Sequence, residues 1–385
     1  MTEHDPVKFA TGLSARLAAR SRHVCVFFGS GIAKACGLPD LSQLQSKVIE
    51  SLKEADRIGF QGLLKGRNLE QALTRLRRIR ALLTDQQTID GLTATRAAEL
   101  DEAVCLTIIA NLDVATANLV PAKHFAAWAA RANYHLPLEI FTVNYDLLLE
   151  TALEMSRVPY FDGFIGVLRA RFQSEMVEAV PGADRDWLPS FFVRLWKLHG
   201  SVNWAWDNQQ IVRLGQTVAT GAAAAIYPSD TKYEESRRVP FVVLQDRFRR
   251  ALYTPETIAL VSGYSFGDDH LNEMLFDAAT RRERSEIIVF CRSKIPDGLA
   301  RRAIATPNLQ VIGPTSAILG GVSGTWKPPE DAPPELWADG KLTLTDFAHL
   351  ALYLARSTAP DRSDTLLLGP LEGHAAAKSG GAGNG

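Results

Sequence analysis

Cysteine is scarce in this chain and does not cluster. The four residues, Cys25, Cys36, Cys105 and Cys291, form no C-x-x-C pair. That excludes a cysteine zinc knuckle and a disulfide framework, and it fits a reducing cytoplasm; no metal is expected. An excess of one charge is lacking too. The 42 Lys and Arg against 43 Asp and Glu leave a formal net charge of −1, so no bulk electrostatic force draws the chain to nucleic acid or to an anionic membrane. Long apolar runs are missing: none reaches the ~18 residues of a membrane span. The opening "MTEHDPVKFATGL" is too polar for a secretory signal, so a cytoplasmic location is expected. What remains, 46% apolar and 22% charged over 385 residues, is the composition of an ordinary globular protein with roughly two to three structural units.

The first strand is legible at "VCVFF", Val24–Phe28, apolar on both faces as in a sheet covered on two sides. After Asp40 the character changes. In "LEQALTRLRRIRALL" the residues Leu69, Leu73, Leu76, Ile79 and Leu83 recur at helical spacing. Residues 42–135 are therefore expected to be a helical insertion between two strands of one sheet. The "RLRRIR" run from Arg75 to Arg80 reads as the solvated face of a helix in preference to a nucleic-acid contact.

A second strand, "LEIFTVNYD" at 138–146, leads into a helix, and 157–250 forms a smaller mixed segment. Within it "FFVRLWKLHGSVNW" is strand-like and breaks at Gly200, and "TGAAAAIYPSD" reads as a loop entering a short strand. A helix and a strand follow, ending at Gly263, and then the strand "EIIVFC". Residues 322–338, rich in Pro and Trp, are expected to be a loop. Residues 342–355 read as a final amphipathic helix, and 358–385 as a flexible tail. Alternating strands and helices predict an α/β fold with a Rossmann-like parallel sheet flanked by helices. The sheet domain takes 1–41 and 136–320, with a C-terminal loop and helix over 321–357.

Ligands of such sheets gather beyond the carboxyl ends of the strands, which gathers stretches 29–32, 142–146, 198–200 and 263–269 on one rim. Gly29 and Gly31 flank Ser30, and glycine allows a phosphate to approach the backbone without a Cβ in the way. Asn144 both donates and accepts, and so suits a sugar hydroxyl or a water. Asp146 reads first as a helix cap. His199, just before Gly200, is a candidate proton acceptor. His270, in "GDDHL", is its rival; its plainer reading is an exposed residue in a first helical turn capped by Asp268 or Asp269.

In this order the stretches resemble the sirtuin family. They read Gly29-Ser30-Gly31-Ile32-Ala33, Gly37-Leu38-Pro39-Asp40, Thr142-Val143-Asn144-Tyr145-Asp146, His199-Gly200 and Gly263-Tyr264-Ser265. The resemblance implies a domain that binds NAD and opens its nicotinamide–ribose bond. It puts Asn144 and His199 in the catalytic places. Gly29, Ser30, Gly31 and Ile32 then lie along the pyrophosphate and nicotinamide ribose, Asp40, Thr142 and Asp146 near the nicotinamide pocket, and Gly263 and Ser265 at the adenosine half. The chain departs from the deacetylases of the family. Ala33 replaces a serine, Leu41-Ser42 follow Asp40, no four-cysteine module is present, and a helical block precedes "TVNYD". In these respects it resembles the bacterial sirtuin-like proteins of anti-phage systems, which hydrolyse NAD+ to nicotinamide and ADP-ribose and so deplete it. That subgroup implies a homo-oligomer with a HerA-type hexameric ATPase or a short Argonaute as partner. The insertion and the terminal helix offer apolar faces for assembly. The alternatives are a sensor that binds NAD or ADP-ribose without turnover, and an NAD-dependent protein deacetylase.

Overall fold

The computed structural model describes residues 2–84, 86–181, 183–184, 186–207, 210–218, 224–226, 239–281 and 285–357. The expected tail at 358–385 and most of the "TGAAAAIYPSD" loop lie outside the described residues.

A ten-stranded sheet organises the chain. In spatial order its strands are Glu3–His4, Val322–Trp326, Ser316–Leu319, Leu309–Ile312, Glu286–Phe290, Ile258–Ser262, Val24–Phe28, Glu139–Thr142, Val193–Lys197 and Tyr160–Phe161. From Leu309–Ile312 to Tyr160–Phe161 every neighbouring pair is parallel. Val24–Phe28 is buried throughout, as its unbroken apolar run requires of a strand covered on both faces. It lies between Ile258–Ser262 and Glu139–Thr142, so the chain turns opposite ways from it to reach its two neighbours. That is a topological switch point, where open sheets leave a crevice. In register, Phe28 pairs with both Ser262 and Thr142, and Thr142 with Lys197. Four strands therefore end level with one another.

At the other end of these strands a buried polar knot ties the sheet. The Glu139 carboxylate accepts from Arg247 Nη2 at 2.5 Å and Nε at 2.7 Å, from Trp196 Nε1 at 2.8 Å and from His23 Nε2 at 3.1 Å. Burial alone would raise the Glu139 pKa. The Arg247 guanidinium and the His23 imidazole overturn that and hold the carboxyl well below its usual range.

The helical insertion is present, as Leu41–Ser51, Glu54–Leu64, Leu69–Leu82 and Ala94–Asn111. Leu69, Leu73, Leu76 and Ile79 are buried as their spacing predicts, and they share a core with Val202, Ala205 and Val212 of a five-stranded second sheet. The insertion ends earlier than 135. The Val120–Arg131 helix buries Phe125 and Trp128 in the main core, and Leu309–Ile312 and Phe347–Ser357 belong to the same body.

Other boundaries are corrected as well. The 157–250 segment is not one unit: Tyr160–Phe161 and Val193–Lys197 join the large sheet, whereas Gly200–Asp207 crosses into the second. The strand expected to break at Gly200 is two strands in two sheets, and Gly200 turns between them with φ +92°. Residues 322–338 are not simply a loop. Val322–Trp326 pairs antiparallel with Ser316–Leu319 and parallel with Glu3–His4. The terminal helix, Phe347–Ser357, buries Phe347, Leu350, Ala351 and Leu354 in the main core, so this apolar face is covered within the chain. On the "RLRRIR" face Arg78 and Arg80 are exposed, as a solvated face predicts. Arg75 meets Asp90, and the half-buried Arg77 meets Asp101 at 3.0 Å. No single helix among the described residues is long and apolar enough to cross a membrane.

Candidate functional site

Two turns cross in backbone contact at the switch point. Gly29 N donates to Ser262 O at 3.1 Å, and Gly31 N donates to Gly263 O at 2.9 Å. A Cβ on Gly29 would stand 2.5 Å from Gly263 O, and one on Gly31 2.5 Å from Gly263 Cα. Only glycine permits this approach. The short helix Gly31–Ala35 follows, with Ile32 buried beneath it.

The next strand ends at Thr142, whose hydroxyl donates to Phe28 O at 3.1 Å and accepts from Asn144 N at 3.0 Å. Thr142 thus fixes the turn that presents Asn144. Asp146 is not the N-cap of the following helix, a place held by Leu147 with no side-chain cap bond; it lies one residue earlier and accepts from Leu148 N at 3.1 Å across the turn. Burial raises its pKa, and nearby Lys197 opposes that. The Lys197 ammonium is buried beneath this turn. It donates to the Asp146 carbonyl, and to Glu150 at 2.9 Å.

His199 follows the third strand end. Leu198 N donates to Thr142 O at 2.8 Å, which sets the imidazole beside Asn144. His199 Nε2 lies 3.2 Å from Asp268 Oδ2. Asp268 Oδ1 caps the Asp269–Arg281 helix through His270 N at 2.9 Å and Leu271 N at 3.2 Å. His270 is exposed, as its plainer reading predicts. In the loop before Asp268, Phe266 holds φ +58°, a left-handed conformation uncommon for an aromatic residue. Asn272 Nδ2 supports it by donating to Phe266 O at 2.9 Å.

These turns enclose a cavity of about 110 Å3. Of the expected residues, Gly29, Ser30, Asn144, Asp146, His199 and Ser265 line it. Gly31, Ile32, Thr142 and Gly263 build the turns behind the wall. Asp40 stands aside: it caps the Leu41–Ser51 helix and pairs with Lys34 at 2.6 Å. The sequence gives no warning of Leu44, Asn68, Glu70 and Leu112, which line the cavity from the insertion. Glu70 Oε1 accepts from the buried Tyr145 hydroxyl at 2.7 Å, joining the insertion to the "TVNYD" turn.

Asn144 Nδ2 and His199 Nδ1 are both buried, and neither has a hydrogen-bond partner among the described residues. Buried polar atoms are normally satisfied. These two atoms, on the wall of one cavity, are left to meet a polar ligand.

A family model described as a SIR2-like domain matches residues 138–312. The match takes in Asn144, His199, Gly263, Ser265 and Asp268. No curated protein matches the chain.

Proposed function

The chain carries a SIR2-like domain, and on that premise we propose that it is an NAD+ glycohydrolase, releasing nicotinamide and ADP-ribose. The observation that carries this reading is the pair of orphaned atoms, Asn144 Nδ2 and His199 Nδ1, on one cavity wall. A site that only binds needs no unpartnered imidazole nitrogen. A hydrolase needs one to accept a proton, and an amide to hold the sugar or the attacking water. Gly29 and Ser30 receive the pyrophosphate side. Asp146 and Lys197 hold the turn that carries Asn144 in shape.

Leu44, Asn68, Glu70 and Leu112 of the insertion line the cavity, and the insertion is the feature by which this chain departs from the deacetylases. The proposal extends to a role in anti-phage defence by NAD+ depletion, in a homo-oligomer working with a hexameric ATPase. The test is to incubate the purified chain with NAD+, with and without an acetylated peptide, and to follow nicotinamide by chromatography. Release without peptide supports the hydrolase. Release only with peptide supports a deacetylase, and binding without release a sensor.

A further inference from the structure

We propose that Asp268 is a positioning residue: it fixes the His199 imidazole with its proton on Nε2, so that Nδ1 presents the lone pair that accepts the proton. The inference rests on the reading of His199 as proton acceptor and adds what makes it one.

The geometry divides the Asp268 carboxylate between two tasks. Oδ1 takes the two backbone N–H groups of His270 and Leu271, and Oδ2 faces His199 Nε2 at 3.2 Å. Both residues are buried, His199 at 5% and Asp268 at 8% exposure. Burial pushes the Asp268 pKa up. The hydrogen bond and charge of His199 and the two backbone donors more than offset this, and the carboxyl is held below its usual value. An ionised carboxylate only accepts, so the hydrogen between the two belongs to His199 Nε2. In a neutral imidazole the other nitrogen is then a bare acceptor. That nitrogen, Nδ1, is the one with no partner among the described residues. The loop carrying Asp268 is built to hold it there. The Tyr264 hydroxyl lies 3.2 Å from the Asp268 carbonyl and 3.0 Å from Asn272 Oδ1, and Asn272 secures the Phe266 carbonyl.

The step balances. A water O–H proton passes to Nδ1, and the water oxygen bonds to the ribose anomeric carbon. The bond from that carbon to nicotinamide breaks, its electron pair neutralising the pyridinium nitrogen. The imidazolium formed stands against the Asp268 carboxylate until Nδ1 returns its proton to solvent.

Asp268→Asn separates positioning from capping. Asparagine caps as well as aspartate, so its oxygen can keep the His270 and Leu271 contacts while its NH2 replaces Oδ2. An NH2 there donates to Nε2 and drives the ring proton to Nδ1, which removes the acceptor. The expected result is a fall in kcat of about 10²–10⁴ with KM and the melting midpoint little changed. In 15N-histidine NMR the His199 ring should switch from the Nε2–H to the Nδ1–H tautomer. Full kcat in Asp268→Asn overturns the proposal, and so does an Nδ1–H tautomer in the unmodified protein or no switch in the variant. Absence of nicotinamide release by the unmodified protein would instead overturn the hydrolase reading, and the NMR arm would still decide whether Asp268 sets the tautomer.

Discussion

Gly263 O accepts from Gly31 N at 2.9 Å, and a Cβ on Gly263 would stand 2.8 Å from Ile32 N and 2.9 Å from Gly31 Cα. Residues far apart in sequence thus form one surface only because none of the three glycines at the crossing has a side chain. Gly263 also sits at φ +68°. Gly263→Ala is expected to cost about 1–3 kcal/mol and to abolish NAD+ cleavage by prising the turns apart. Gly37 provides the control: its φ is +83° but a Cβ there meets nothing within 4 Å. Gly37→Ala should lose about 1–2 kcal/mol and keep its turnover. Urea unfolding and nicotinamide release, measured on both variants, separate crowding from backbone strain. Equal losses of activity would contradict this account of the crossing.

Asn144 and Asp146 should respond in opposite ways. Asn144 Nδ2 has no partner among the described residues, so Asn144→Ala removes a buried, unsatisfied group. The melting midpoint is expected to hold or rise while cleavage collapses. Asp146→Ala leaves the buried Leu148 N–H without its acceptor and is expected to cost about 1–3 kcal/mol. A clear drop in the Asn144→Ala midpoint by calorimetry would assign Asn144 to the fold.

Glu139→Gln leaves the buried Arg247 guanidinium without its counter-charge, which should cost about 3–5 kcal/mol. The folded-state pKa of Glu139 lies below its unfolded value. Its contribution to stability is therefore complete above the unfolded carboxylate range, near ~4.3, and is lost as pH falls through the lower folded value. Denaturant unfolding at neutral and acid pH should show the gap between the original protein and the variant closing on acidification. A gap independent of pH would contradict the ionised knot.

Metal removal should leave cleavage unchanged. Burial pushes the thiol of Cys36 to about 11 and that of Cys105 to about 12, so both stay protonated, whereas zinc binds thiolates. Activity measured after dialysis against a chelator checks this, and a rate restored only by added zinc would contradict it.

Much of the frame is legible in the sequence because it is local. The unbroken apolar run of Val24–Phe28, the period of Leu69 to Ile79 and the order of glycine, Asn144 and His199 each follow from short-range pattern. Other parts rest on long-range pairing. Nothing near Val322–Trp326 says that Glu3–His4 will lie beside it, and a short strand with Gly324 and exposed Val322 looks like a loop. Gly200 reads as an interruption because a change of sheet leaves no mark on composition. Asp268 reads as a helix cap, and it is one; its second oxygen meets a histidine that only the fold brings near. Glu70 and Leu112 reach the cavity because the insertion folds back over the rim, which helical periodicity does not reveal.

The decisive measurement is product formation from NAD+ by the purified chain and by His199→Ala at matched concentration, with circular dichroism to establish that both are folded. The original protein is expected to release nicotinamide and ADP-ribose in equal amounts, and His199→Ala to be slower by about 10²–10⁴. A folded His199→Ala that cleaves at the original rate, or an original protein that binds NAD+ and releases neither product, would contradict the assignment.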